Sequence, residues 1–240
     1  MSNYLYQDGS IRVRDAQTSS ALRVARSMVG ENYATLSSAS IEPEWVEARL
    51  TDDRFDHERV THTLLAETAK GEPLGTMRLV LGDRQAPQPF EFLDLMQPPI
   101  GWDEFTVHYS IDQDFEIGRF AFSRQALCAR GREERLHLKT LRALTLGVGR
   151  MARSYGRRRA WMIASQKVAN AFRRSGLLPV PIPGPLPNWS RHHAMFEQFD
   201  RYWRDGGPLL YTLRGWEVTW DAPMVTTVSE SAIAPSRTNA

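Results

Sequence analysis

A mixed α/β fold is what this sequence predicts, on three observations. Two apolar runs, residues 60–69 and 73–82, are joined by Lys70-Gly71-Glu72, which is the pattern of a β-hairpin. From residue 114 onward the chain alternates strand-like and helix-like patterns, the order of an open sheet covered by helices. And 240 residues that are 42% hydrophobic suffice for the core of one large domain.

The elements follow in order. Residues 16–30 place Ala21, Leu22, Ala25, Met28 and Val29 on one side, the spacing of an amphipathic helix. The polar, mixed stretch after it reads as a cover, with Pro43 suited to the first turn of a short helix. After the hairpin, Pro87, Pro89, Pro98 and Pro99 punctuate an irregular region that ends at a strand, DFEIGRFAFSR, from residue 114 to 124. The longest helical pattern covers 133–155, with Leu136, Leu138, Leu141, Leu144, Leu146, Val148 and Met151 among arginines and a stop at Gly156. Residues 160–165 form a short strand and 166–176 a helix closed by Gly176. The proline-rich PVPIPGPLP then crosses without pairing as a central strand, and residues 209–220 give one or two closing strands. Residues 1–222 read as a single domain. The tail at 223–240, rich in Ser, Thr and Ala, is expected to be disordered.

Composition removes several classes. No run of eighteen apolar residues occurs, and MSNYLYQDGS lacks the charged-then-apolar order of a signal peptide, so a soluble, cytoplasmic protein is expected. Cys128 is the only cysteine, which excludes an intramolecular disulfide and any multi-cysteine metal site. His57, Glu58 and His62 miss the metalloprotease spacing by one residue and run into a strand, so no metal is expected. Gly147 and Gly149 lie inside a helical run rather than after a strand, which suits helix packing and not phosphate binding.

The net charge of +2 conceals an asymmetry: residues 119–174 carry 15 Lys/Arg against 2 Asp/Glu, whereas residues 1–118 carry 10 against 20. Such a basic block attracts polyanions of any kind. Nucleic acid, the phosphates of a cofactor and an acidic protein all fit, and a nucleic-acid-binding or regulatory role is one reading of it. Against nucleic acid, the block has no interleaved aromatic stacking platform, and its arginines spread over a long helix and the turn after it.

The strand at 114 poses the sharper question, because Glu116 and Arg119 sit three apart and fall on opposite faces of any regular strand. Gly118, between them, marks the place for a bulge. Arg78 lies in the preceding strand pattern, and Asp53 and Asp56 lie upstream. A buried ion-pair network that fixes the sheet accounts for such residues, and so does a site handling a charged substrate.

Taken in order, Asp53-x-x-Asp56, GTMRL with Arg78, EIGRFAF with Glu116 and Arg119, and then RSGLLPVPIPGP resemble the signature of acyl-homoserine-lactone synthases and the related N-acyl amino acid synthases, over about residues 20 to 186. The resemblance implies a GNAT-like fold: a three-layer αβα sandwich whose mixed central sheet has two strands splayed apart for the pantetheine arm of an acyl donor. It implies catalytic or charge-holding roles for Glu116, Arg119, Asp53, Asp56 and Arg78, with Arg119 keeping Glu116 ionised as a proton acceptor. It puts Arg23, Tyr33, Phe120, Met162 and Ser165 at the substrates. The family's first-helix series of arginine, phenylalanine and tryptophan reads Arg23, Ser27 and Tyr33 here, so one of the two aromatics is lost. The implied substrates are S-adenosylmethionine and an acyl chain on acyl carrier protein or coenzyme A, with no permanently bound cofactor. A free amino acid is the alternative amine. An acidic carrier protein would dock on Arg124, Arg130, Arg132, Arg135, Lys139, Arg142, Arg150 and Arg153.

Overall fold

In a computed structural model of the chain, the residues described are 4–35, 42–50, 61–82, 90–97, 109–128, 135–182, 186–187 and 209–214. Asp53, Asp56, Arg130, Arg132 and the tail fall outside them. The elements are β1 (Tyr4–Asp8), β2 (Ile11–Asp15), α1 (Ser19–Ala34), α2 (Pro43–Leu50), β3 (Thr61–Thr68) and β4 (Pro73–Val80). Next come α3 (Glu91–Leu95), β5 (Met96–Gln97), β6 (Asp114–Phe122), α4 (Arg124–Cys128) and α5 (Leu136–Ser154). The last are β7 (Arg159–Ala164), α6 (Gln166–Arg174), β8 (Leu178–Pro181), β9 (Leu186–Pro187) and β10 (Leu209–Arg214).

The main sheet has eight strands in the order β1-β2-β3-β4-β6-β7-β10-β8. Every pair is antiparallel except β6 with β7, so the sheet is mixed. β8 sits at the edge, where its prolines cost no ladder bond on the solvent side. The β1–β2 hairpin is absent from the sequence reading above. Its signals are present all the same: alternation in IRVRD and an Asp8-Gly9 turn, with Gly9 at φ +48.

Helices cover both faces. On one, α5 and α6 supply Leu141, Leu144, Val148, Ala169 and Phe172 to the main core with Val13, Leu64, Met77, Leu79 and Ile117. Each fully buried Leu or Val there contributes about 1.5–3 kcal/mol. Gly147 allows the close approach: a Cβ there would stand 2.7 Å from Val13 Cγ1. On the other face, Ala21, Met28 and Val29 of α1 meet Leu65 and Ala121, and Phe90, Phe92 and Leu93 at α3 meet Val80, Trp161 and Leu210. α5 begins at Leu136 behind Arg135, whose φ of +71 is left-handed, rather than at 133 as the apolar spacing alone suggests.

At its N-terminal end β6 is locked to β7. Asp114, fully buried, accepts from Arg159 Nε (2.9 Å) and Nη2 (2.7 Å), Trp161 Nε1 (2.8 Å) and the Ser110 N–H (2.8 Å). From this clamp the two parallel strands stay in register only as far as Ile117 opposite Met162. Beyond it β6 runs on to Phe122 with no strand paired on that side among the described residues: the two strands part.

Candidate active site

The parting of β6 from β7 coincides with an irregularity on the other side of β6. Opposite β4, Arg78 faces Gly118 and Thr76 faces Ala121, so β6 carries one residue too many, and Arg119 takes φ +46. This is a β-bulge, at the place Gly118 marks in the sequence. Its consequence resolves the spacing problem. Glu116, Gly118 and Arg119 all lie on the α1 and α3 side, while Phe120 and Phe122 turn to the α5 and α6 side, where Phe120 meets Phe122 and Phe172.

Glu91, at the start of α3, joins the arginines. Arg78 Nη2 lies 2.6 Å from Glu91 Oε2, and Arg119 forms an ion pair with Glu91 Oε1. Arg119, expected to hold Glu116, is thus ion-paired with Glu91. Sequence reasoning missed this residue. Its only signal is an acid between two phenylalanines in a proline-bounded segment, and a five-residue helix is too short to show a period.

Glu116 is buried, and its Oε2 accepts the Phe92 N–H at 3.2 Å. Burial holds its carboxyl well above the ordinary value, the neighbouring Glu91 charge pushes further the same way, and the Phe92 N–H and the Arg78 guanidinium oppose. A carboxyl whose proton is held more tightly than usual is a stronger base when ionised.

Tyr33, half-buried, belongs to the same neighbourhood. Burial raises its phenol, Arg119 opposes, Glu91 adds and Arg78 opposes, so the three charges around Glu91 all act on it. Two turns earlier in α1, Arg26 lines a cavity with Ala25, Val29, Thr63, Thr76, Arg78 and Arg119. Arg23 is exposed on α1 and does not line that cavity. Met162 is in the main core on the α5 side, opposite the face of Glu116. Ser165 caps α6 by accepting the Val168 N–H.

Asn32 closes the far end of the parted strands. Its Nδ2 donates to the Phe122 carbonyl (2.7 Å) and its Oδ1 accepts the Phe122 N–H (3.1 Å), in the manner of a neighbouring strand. Replacing Asn32 with Ala therefore strands two backbone groups at a half-buried position. A loss of about 1–3 kcal/mol in urea-measured stability is expected.

The basic residues divide into two groups. Arg124, Arg135, Lys139, Arg142 and Arg153 are exposed, and Arg124 Nε lies 3.9 Å from Glu31 Oε2. Arg150 instead donates to the Leu5 carbonyl at 2.9 Å and lies over the Tyr6 ring. Burial raises the Tyr6 phenol, Asp8 adds to this, and Arg142 and Arg150 oppose, which puts both arginines beside β1. Among the described residues no group of His, Cys, Asp or Glu is arranged to hold a metal ion, and no helix is long and apolar enough to cross a membrane.

Comparison with known proteins is informative at the level of structure alone. No protein-family model and no curated protein sequence matches the chain. Among solved structures, FeeM, an N-acyl amino acid synthase from uncultured soil microbes, superimposes with a TM-score of 0.51 over 87% of this chain and 94% of that one, at 13% identity. The AHL synthase LasI superimposes with a TM-score of 0.50 over 86% of this chain and 89% of its own, at 14% identity. The fold is the expected one: helices on both faces of a mixed sheet with two parted parallel strands.

Proposed function

We propose that the chain is an N-acyltransferase that moves a fatty acyl group from a carrier thioester to an amine. The observation that carries this is the parting of β6 from β7 beyond Ile117 and Met162, beside a bulge that collects Glu116, Arg119, Arg78 and Glu91 on one face. An acyl arm enters the gap from the carrier, and the amine approaches from the α1 side. The amine nitrogen attacks the thioester carbonyl; a C–N bond forms, the C–S bond breaks and the carrier thiol leaves. Glu116 takes the amine's proton directly or through water, and Asp53 and Asp56 hold the incoming ammonium. The Phe120 N–H, two residues before Phe122 and turned to the same open side of β6, steadies the oxyanion. Cys128, exposed on α4, has no role.

S-adenosylmethionine is the amine proposed first: its carboxylate then closes on its own γ-carbon, methylthioadenosine leaves, and an acyl-homoserine lactone results. Acylation of a free amino acid is the second reading, and the loss of an aromatic at Ser27 favours it. Met162 cannot donate a hydrogen bond to a 3-oxo group, so unsubstituted acyl chains are preferred. Incubation with acyl carrier protein or acyl-coenzyme A and a panel of amines, followed by mass spectrometry, separates the two: lactone with methylthioadenosine, or acyl amino acid without it. No acylated amine across the panel would sink both.

The donor's carrier docks on the exposed basic group. Carrier proteins are acidic, so reversing charge at Arg135 and Lys139 is expected to raise KM for acyl carrier protein several-fold while sparing a small acyl thioester. Added salt should act like the substitution, by screening the same attraction. An unchanged KM at low salt places the docking surface elsewhere.

A further inference from the structure

Aromatic rings brace the neighbourhood of Glu116 from one side. Glu116 and Trp161 are register partners in β6 and β7, so their side chains lie next to each other on the α3 side of the sheet. Trp161 is 2% exposed, and both its edge and its face are engaged. At the edge, Nε1 donates to Asp114 Oδ2, the carboxylate that also clamps Arg159. The face stacks on Phe92, with centroids 5.2 Å apart and planes at 27°. Phe92 stacks in turn on Phe90 at 5.4 Å, and Tyr109 meets both phenylalanines edge-on. Rings therefore hold the start of α3, which at five residues is too short to hold itself by its own hydrogen bonds. It is the Phe92 N–H that reaches Glu116 Oε2, at 3.2 Å.

We propose that Trp161 is a positioning residue for Glu116: pinned by Asp114 and stacked on Phe92, it keeps the Phe92 N–H on the carboxyl and so fixes the orientation in which Glu116 takes the amine's proton. This rests on the acyltransferase reading above. Without the stack, α3 loses the wall that sets its distance from β6, and Glu116 loses a donor together with its orientation. The donor acts on charge as well, since an N–H on a carboxylate favours the ionised form. Burial and the Glu91 charge then have less to oppose them. The charged and titratable groups around the carboxyl are Glu91 on α3, Arg78 on β4, Tyr33 on α1, Arg119 and Asp114 on β6 and Arg159 on β7. None of them is altered when Trp161 is replaced, so a change in the titration of Glu116 reports the displaced N–H.

The test reads Glu116 itself, with neither donor nor acceptor present. Infrared difference spectra of the full chain, each protein against its own Glu116→Gln version, follow the carboxylic-acid C=O band of Glu116 with pH. In Trp161→Leu, which keeps the space apolar and removes the ring, the band is expected to persist to higher pH than in the parent. Trp161→Phe, which restores a ring to stack on Phe92, should bring it back towards the parent. Phe92→Leu removes the same stack from the other side and should act as Trp161→Leu does, which keeps the proposal refutable if that variant does not fold. Leu144→Ala, buried on the opposite face of the sheet, should lower stability and leave the band in place. With donor and amine added, Trp161→Leu should lower kcat about tenfold or more and leave KM for the donor unchanged. The proposal is overturned if the band stays where the parent has it in whichever of Trp161→Leu and Phe92→Leu folds. It is overturned equally if the band is lost at lower pH, as entry of water would cause, or if Trp161→Phe restores nothing. Acyl transfer by the parent with an unmoved band in the variants leaves the acyltransferase reading standing and removes this one. A moved band with no transfer by the parent removes that reading and keeps Trp161 as the residue that holds the carboxyl.

Discussion

Glu116→Gln is expected to keep the fold and lower turnover about 10²- to 10⁴-fold, the usual cost of removing a general base. Stability and activity should part company in this variant. A carboxyl held above its ordinary value binds its proton more tightly in the folded chain than in the unfolded one. Its contribution to stability is therefore present at low pH and is lost as pH rises from the ordinary carboxylate value towards the raised folded one. Gln imitates the protonated form, so relative to the parent the variant should gain stability across that window, which urea midpoints at a series of pH values will register. Activity runs the other way: the base acts when ionised, and the parent's rate should climb with pH over the same window. Full turnover in the variant would remove Glu116 from the chemistry.

Glu91→Gln carries the largest expected effect on folding. Glu91 is the carboxylate that Arg78 and Arg119 share, and Arg78 is 2% exposed. Breaking a buried pair of this kind costs about 3–5 kcal/mol, because a charge is left behind without its partner. The urea midpoint should fall accordingly. In any folded fraction, the loss of the Glu91 charge removes the second cause that raises Glu116, so the rising limb of the rate profile should move to lower pH. A Glu91→Gln variant as stable as the parent would mean that the cluster is not held by its ion pairs.

How far the sequence discloses all this depends on how local the signal is. The β3–β4 hairpin, α1, α5 and α6 are legible because apolar spacing over eight or more residues, or a glycine stop, marks each one, and β7 through a short apolar run between two helices. β1–β2 is legible too, through Asp8-Gly9, and lacks only the length that draws the eye. The bulge is foreseeable from Gly118, but not that Arg119 would take the left-handed backbone. Glu91 and Asn32 are of another kind. Each owes its role to contacts with distant strands, 90 positions away for Asn32 with Phe122, and nothing in the surrounding spacing separates them from ordinary polar residues. Arg23, which the resemblance puts at the substrates, is exposed on α1, and Arg26, three residues on, lines the cavity.

The central claim is direct transfer of an acyl group from a carrier thioester to an amine at the parted strands, and thiol release measures it most directly. With acyl carrier protein as donor, free thiol should appear only when the acceptor amine is present, one thiol for each amide formed. The intact mass of the chain should stay unchanged during turnover, and Cys128→Ser should match the parent. Thiol release that does not depend on the amine, or a chain that gains the mass of the acyl group, would contradict the account.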